Sequence, residues 1–349
     1  MPTVSAERLT QFAEAIFRAS GVPADEAAIV SGSLVDANLC GHDSHGLIRI
    51  PQYLGALGDG RLKPGAPFEV VKETAGVLVV DGNFGLGQVQ AHRLVQRLIP
   101  RAQALGLAAG TLKNCGHIGR LGEYAEVAAR DRMALIGTVN GHGFGRNVSP
   151  PGGTQGRIGT NPLCMGAPTP GEPLVLDIGT SVCAEGKVRV AFNKGQPVPA
   201  GWIQDGHGKA TTDPGALYRD PPGSILPLGG PQAYKGFGIG VLLEVFAGGL
   251  SGAPCSRPEA PNLVCNAVLF IVLDVSQFAG SDHFMKEAGD LSGFIRDCPR
   301  AEGIAEILLP GDPERRERAR RMKEGVPLDD GTWGQLSQIA QKLNIAIPG

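Results

Sequence analysis

Phe68–Gly82 reads FEVVKETAGVLVVDG: two β-rich runs, FEVVKE and GVLVVDG, separated by Thr74 and Ala75. Short runs of this kind joined by so brief a connection predict a hairpin. A hairpin introduces antiparallel pairing, so the sheet is expected to be antiparallel or mixed rather than wholly parallel. Downstream, VQAHRLVQRLIPRAQALG predicts a long helix with Pro100 as a kink. LAAGTLKN, LGEYAEVAARDR and ALIGTVNG then predict strand, helix, strand. PLVLDIGTS reads as a buried strand, KGFGIGVLLEVFAGGLSG as a buried glycine-rich helix, and NAVLFIVLDVSQF as a strand. From Asp282 onward the pattern returns to helices.

Upstream of the hairpin the pattern is helical. Leu9, Phe12, Ala15, Ile16 and Ala19 recur at helical spacing behind Ser5, an expected N-cap. Pro23 opens a second helix running to about Asn38, and a third is expected to start within GHDSHGLIRIPQYL (Gly41–Leu54). It ends near GDGRLKPG, a turn-rich linker.

With 349 residues and 42 % hydrophobic content, the chain can bury a large core in one or two domains. A formal net charge of −2 calls for neither a nucleic-acid nor an anionic-membrane partner. The seven cysteines are scattered and form no CxxC pair, which suits reduced, buried thiols in a cytoplasmic protein. No apolar run approaches the length of a membrane span, and the first residues lack the features of a signal segment.

A dinucleotide fingerprint G-x-G-x-x-G is nearly met three times and completed nowhere. Gln90 follows Gly85 and Gly87, Arg146 follows Gly141 and Gly143, and Val241 follows Gly236 and Gly238 where the third glycine belongs. DGHGKAT has Ala210 where a phosphate loop needs Ser or Thr. Tight turns and close helix packing account for each glycine alone, and a Rossmann domain is not expected.

Four segments carry chemistry. In Gly41–Leu54, Asp43 or Ser44 is expected to cap a helix, placing His45 and Arg49 one turn apart on one face. An arginine clamps a carboxylate through two parallel hydrogen bonds, and an imidazole beside it exchanges a proton. The pair suits a 2-hydroxy or 2-oxo acid. Taken singly, each histidine also reads as a cap or a hydrogen-bonded surface group. A metal site from His42, Asp43 and His45 lacks further ligands at helical spacing. In KNCGHIGRLGEYAE, His117 and Arg120 sit in a strand-to-helix turn whose amides suit a phosphate. The bland reading is a glycine turn with a solvated arginine. Asp177, Gly179, Thr180 and Ser181 end a strand that can address a ribose or an amide, or merely cap a turn. Lys235 opens a helix against the dipole, suggesting an acidic group nearby or a solvated side chain.

These segments, in this order, resemble the malate/L-lactate dehydrogenase family of the second, non-Rossmann type, most closely its bacterial hydroxycarboxylate dehydrogenase branch. The matching stretches are GHDSHGLIRIPQY, GHIGRLGEYAE, IGTNPLCMGAP, LVLDIGTS, KGQPVPAGWIQD, YKGFGIGVLLEVFAGGLSGA and ILLPGDPE. The resemblance implies an α+β fold with a large mixed, mainly antiparallel sheet flanked by helices. It implies a helical domain from both chain ends (1–68 with 300–349) and a cofactor-binding and dimerisation domain (69–299), paired as a homodimer. It implies NAD, with NADP as the alternative, and interconversion of a small 2-hydroxy acid and its 2-oxo acid. His45, His117, Arg49 and Ser44 match catalytic positions, with His45 slightly favoured over His117 as the acid/base. His45, Gly119, Arg120, Leu121, Val175, Leu176, Asp177, Ile178, Gly179, Lys235, Asn266, Leu309, Pro310, Gly311 and Asp312 match cofactor-contacting positions. No metal is implied. The chain departs from the family at Asn140-Gly141, where Asn-Ser is usual, and in GHGFGRNVSPPGG, which adds His142 and Arg146. Reduction of a cyclic imine 2-carboxylate, and dinucleotide binding without turnover, are the alternative readings.

Overall fold

In a computed structural model, residues 2–143, 145–259 and 265–348 are described. In chain order the elements are β1 (Thr3–Val4), α1 (Ala6–Ala19), α2 (Ala24–Leu39), α3 (Ile50–Gly58), β2 (Glu69–Glu73), β3 (Val77–Gly85) and α4 (Gly87–Leu105). There follow β4 (Leu107–Cys115), α5 (Gly122–Arg130), β5 (Met133–Asn140), β6 (Leu163–Ala167), β7 (Leu174–Ile178), α6 (Glu185–Asn193), β8 (Ile203–Gln204), β9 (Ala210–Thr211) and β10 (Ser224–Ile225). The chain closes with α7 (Ala233–Glu244), β11 (Asn266–Asp274), α8 (Ser281–Arg296), α9 (Asp312–Glu324), β12 (Val326–Pro327) and α10 (Asp330–Lys342).

The hairpin forms as its sequence predicts, β2 pairing antiparallel with β3. The main sheet runs β2-β3-β4-β11-β5-β6-β7. Only β3 and β4 pair in parallel, because α4 carries the chain back between them; the other neighbours are antiparallel. The sheet is therefore mixed and mainly antiparallel. Its core is built where α4 and α5 lay Leu94, Leu98 and Tyr124 on Leu78, Leu112, Leu135 and Phe270.

A second core joins the two ends of the chain. Leu9, Phe12, Ile16 and Leu34 pack with Val326, Leu336 and Ala340, and β1 pairs with β12. Ser5 caps α1, accepting from Arg8 N at 3.4 Å. A third core, around Val148, Val188 and Ile203, sits under a small sheet ordered β10-β8-β9. That sheet and β6 have no counterpart in the sequence reading. DGHGKAT is its β8–β9 turn, with Asp205 accepting from His207 N and Lys209 N.

Three expectations need correction. The motif Gly41–Leu54 does not start a helix at Asp43 or Ser44. Two 3₁₀ turns, Asp43–His45 and Leu47–Arg49, come first, and α3 begins at Ile50. β7 is the edge strand of the main sheet and only half-buried, since one side has no neighbour. α7 is buried on one face alone; Ile239, Leu242, Val245, Phe246 and Leu250 are exposed along it and the π-turn that follows. The seven cysteines are free, and all but Cys255 and Cys298 are buried.

Candidate functional site

The opening motif is shaped by Asn38, near the end of α2. Its buried amide donates to Asp43 Oδ1 at 2.6 Å, and its carbonyl oxygen accepts from Leu47 N at 2.9 Å. Gly46 lies against it so closely that a Cβ there would stand 2.2 Å from Asn38 Oδ1. From the far end of the chain Arg321 donates to both Asp43 oxygens, at 2.6 and 3.1 Å, and to Asn38 O at 2.7 Å. His42 turns to Glu314 at 3.3 Å. Asp43 and His42 are thus occupied elsewhere, and no trio of metal ligands forms among the described residues.

His45 and His117, distant in sequence, stack with ring centroids 5.3 Å apart and planes at 27°. Ser44 Oγ lies 3.0 Å from His45 Nδ1. Behind His117 stands a relay absent from the sequence reading: Gln88 Nε2 donates to Tyr53 Oη at 2.9 Å, and Tyr53 Oη is 2.7 Å from His117 Nδ1. An amide nitrogen only donates, so the Tyr53 proton goes either to His117 Nδ1 or to His117 O, 3.4 Å away; in the first arrangement His117 carries its own proton on Nε2. Tyr53 follows Arg49 by one helical turn, a spacing that signals a shared face; Gln88, at the start of α4, carries no such signal. Burial lowers the His45 pKa to about 3, with the Arg49 charge adding to it. Burial and Arg49 likewise push His117 well below the usual range. Burial raises Tyr53 to about 12. All three are uncharged at neutral pH.

Arg49 does not share a continuous helical face with His45, because Gly46 breaks the helix between them. Instead its Nε donates to Ser44 O at 2.6 Å and its Nη1 to Gln52 Oε1 at 2.8 Å. It has no carboxylate partner among the described residues, and it is half-buried. A charge in that setting is suited to an anion. A narrow cleft is lined by His117, Tyr53, Gln52, Arg61, Ala56, Leu62 and Cys265.

The strand-to-helix turn behaves otherwise. Gly122 N, at the start of α5, already donates to Asp177 Oδ2 at 2.7 Å, so this amide does not await a phosphate. Arg120 is 1 % exposed, pairing with Asp36 at 3.0 Å and Glu126 at 2.8 Å, and is neither solvated nor a free phosphate ligand. Its Nε and Nη1 have no partner among the described residues. Asn266 accepts from Ile118 N at 3.0 Å, which fixes the residue after His117. Val175 N donates to Pro310 O at 3.2 Å. Residues 119–122, 175–179 and 309–312 are thereby joined along one edge. Asp312 pairs with Arg315 and Arg296. Thr180 packs under α7 at Gly240, and Ser181 bonds Cys183 O. Lys235 is exposed on the first turn of α7, its Nζ 6.0 Å from the Tyr234 ring, and among the described residues no hydrogen bond or ion pair ties it to the other segments. His142, added by the departing loop, is buried and accepts from Asn114 N at 3.2 Å, while Arg146 Nη1 donates to Arg257 O at 2.7 Å; both are structural contacts.

A sequence model of the family described as malate/L-lactate dehydrogenase matches residues 4–337. The chain is 34 % identical over 349 residues to an L-lactate dehydrogenase of Cupriavidus necator, covering 99 % of each. It is 35 % identical over 346 residues to hydroxycarboxylate dehydrogenase B of Escherichia coli K12, covering 97 % of this chain and 94 % of that one. The solved sulfolactate dehydrogenase of Methanocaldococcus jannaschii superposes with a TM-score of 0.88 at 31 % identity, covering 99 % of this chain and 98 % of that one.

Proposed function

Because this chain belongs to the malate/L-lactate dehydrogenase family, we propose that His45, His117 and Arg49 carry the interconversion of a small 2-hydroxy acid and its 2-oxo acid. The chain is a 2-hydroxy acid dehydrogenase that works with a nicotinamide dinucleotide. The observation that carries the residue assignment is Arg49, a half-buried guanidinium with no carboxylate partner among the described residues, beside two stacked neutral imidazoles.

Arg49 holds the C1 carboxylate of the acid, and its planar fork fixes the orientation of C2. His117, held by Tyr53 and Gln88, orients the C2 oxygen through a hydrogen bond. His45 is the stronger candidate for the acid/base, because its partner Ser44 is a hydroxyl. A hydroxyl turns to donate or accept, so it follows either protonation state of the ring. The substrate carboxylate offsets the Arg49 charge that helps to hold both imidazoles neutral, which favours proton uptake when the acid binds.

The dinucleotide, when bound, takes or supplies the hydride at C2. The donor set fits such a group. Gly119, at φ +78°, is buried against Ser33 and Gln88, and residues 119–122, 175–179 and 309–312 adjoin one another along one edge. Arg120 contributes its backbone alone, since its side chain is sealed in ion pairs. Asn266 and His45 are further expected cofactor contacts, and Lys235, exposed on the first turn of α7, is the expected contact for a phosphate. NAD is the expected cofactor, with NADP as the alternative.

We place the division of labour at 1–68 with 300–349 for the helical unit and 69–299 for cofactor binding and pairing. The exposed apolar face of α7 supports a homodimer. The free thiols suit the cytoplasm. Among the described residues no helix is long and apolar enough to cross a membrane.

The test is the nicotinamide absorbance of NADH or NADPH with the purified protein, a panel of 2-oxo acids and one cyclic imine. Oxidation with a 2-oxo acid is expected. Turnover with the imine alone would replace this reading with an imine reductase. Cofactor binding without turnover on any compound would replace it with a binding protein.

A further inference from the structure

We propose that His142 is a positioning residue for His117, bracing the end of β4 against the start of β11 so that Asn266 fixes the His117 backbone; the proposal rests on the role given to His117 above. β11 pairs Asn266 with Cys115 and Val268 with Leu112, so two residues of β4, Lys113 and Asn114, stand opposite Ala267 alone. This is a β-bulge, and it leaves Asn114 in the left-handed region at φ +52°. Asn114 pairs with no residue of β3 or β11, so its N–H needs an acceptor from elsewhere. It finds one in His142 Nε2, at 3.2 Å. The same ring makes a backbone hydrogen bond with Asn266 across the bulge. His142 is 2 % exposed, and burial lowers its pKa to about 4. The ring is therefore neutral at neutral pH, and Nε2 keeps the lone pair that the Asn114 amide requires.

From the bulge the bonds run on to the site. Asn266 Nδ2 donates to Asn140 O at 3.3 Å, and Asn266 Oδ1 accepts from Ile118 N at 3.0 Å. Ile118 is buried and follows His117 directly, so the Asn266 amide sets where the His117 backbone lies. The His142 backbone closes the circuit, its N donating to Asn140 Oδ1 at 3.2 Å. One imidazole thus holds a strand end on each side, with Asn140 behind it. Gly141 stands where the family usually has serine, so the side chain at this strand end comes from His142 instead. Without that ring the bulge amide loses its acceptor and Asn266 its brace. A reacting group displaced by about 1 Å costs up to about 10²-fold in rate.

The test is imidazole NMR on the full chain with isotope-labelled histidine and no cofactor, the His117 signals being assigned by their loss in His117→Gln. His142→Leu should shift the His117 ring nitrogens. His142→Gln, whose amide both accepts and donates, should restore them. Asn266→Ala should reproduce the shift, and the double variant His142→Leu/Asn266→Ala should add nothing, because both act through one link. Kinetics with NADH and either pyruvate or oxaloacetate should follow: kcat falls roughly 10- to 100-fold in His142→Leu while KM changes less. Unmoved His117 signals in folded His142→Leu, an unchanged kcat, or shifts that add in the double variant would overturn the proposal and keep the dehydrogenase reading. Should His142→Leu not fold, Asn266→Ala decides, and wild-type His117 signals in it overturn the proposal. Absence of wild-type turnover with every 2-oxo acid would remove the catalytic role of His117, while the NMR comparison, which needs no turnover, still decides whether His142 positions it.

Discussion

Arg49 and Arg120 stand in turns of similar polarity, close enough for both charges to act on His45. Arg120 is sealed between Asp36 and Glu126, joining α2 to α5. Arg318 reaches the same Asp36 from α9. Among the described residues Arg49 hydrogen-bonds to a backbone carbonyl and a side-chain amide oxygen, and to no carboxylate. Burial opposes the Arg120 charge, and Glu126 and Asp36 hold the proton on it. The difference teaches how to separate structural from functional charge here: a cation whose partners are already inside the protein holds the fold, and one left without a carboxylate can receive a ligand.

The comparison is broken most directly at the imidazoles that Arg49 serves. His45→Ala should lower kcat by about 10²–10⁴-fold, the usual worth of positioned proton transfer, with the melting temperature nearly kept. Steady-state kinetics and a thermal melt check it, and near-normal kcat removes His45 from the mechanism. Next comes Arg120→Leu, which leaves Asp36 and Glu126 facing a lost partner. A stability loss of about 3 kcal/mol is expected by chemical denaturation; unchanged stability would mean that the sealed pair does not hold the fold. Arg49→Lys sharpens the contrast. It should raise KM for the acid about tenfold, because a point charge does not reproduce the fork, while stability stays within about 0.5 kcal/mol. Unchanged KM and kcat would reject the clamp.

The smallest effect is on pH dependence. The His45 pKa in the fold is about 3, below its unfolded value near 6.5. Neutral His45 therefore contributes stability above pH 6.5 that is lost as pH falls toward 3, since the unfolded chain takes up the proton first. The melting temperature should decline below pH 6.5, and less so in His45→Gln. A decline of equal size in the variant would assign it to other groups.

Much of this was legible in local pattern. The hairpin, the capped first helix and the β4–α5–β5 run follow from propensity and spacing within short windows. His45, His117 and Arg49 stood out as dense polar clusters. What sequence did not show depends on residues far away. Arg120 reads as solvated until Asp36, from another helix, is beside it. Tyr53 gains its role only when the fold brings His117 beside it. β7 looks buried by composition, yet its place at the sheet edge is a property of the whole topology. The expected helix through His45 failed for a local reason with a remote cause: Gly46 is pressed against Asn38, whose amide holds Asp43 in a turn.

Arg321 clamps that turn from α9, and Val326, Leu336 and Ala340 close the core beneath it. The motif that bears His45 and Arg49 thus takes its shape from a side chain 278 positions further along the chain. A chain cut short before Asp312 would carry both histidines and Arg49 but lack the clamp on Asp43. Activity is in this sense countersigned by the other end of the molecule.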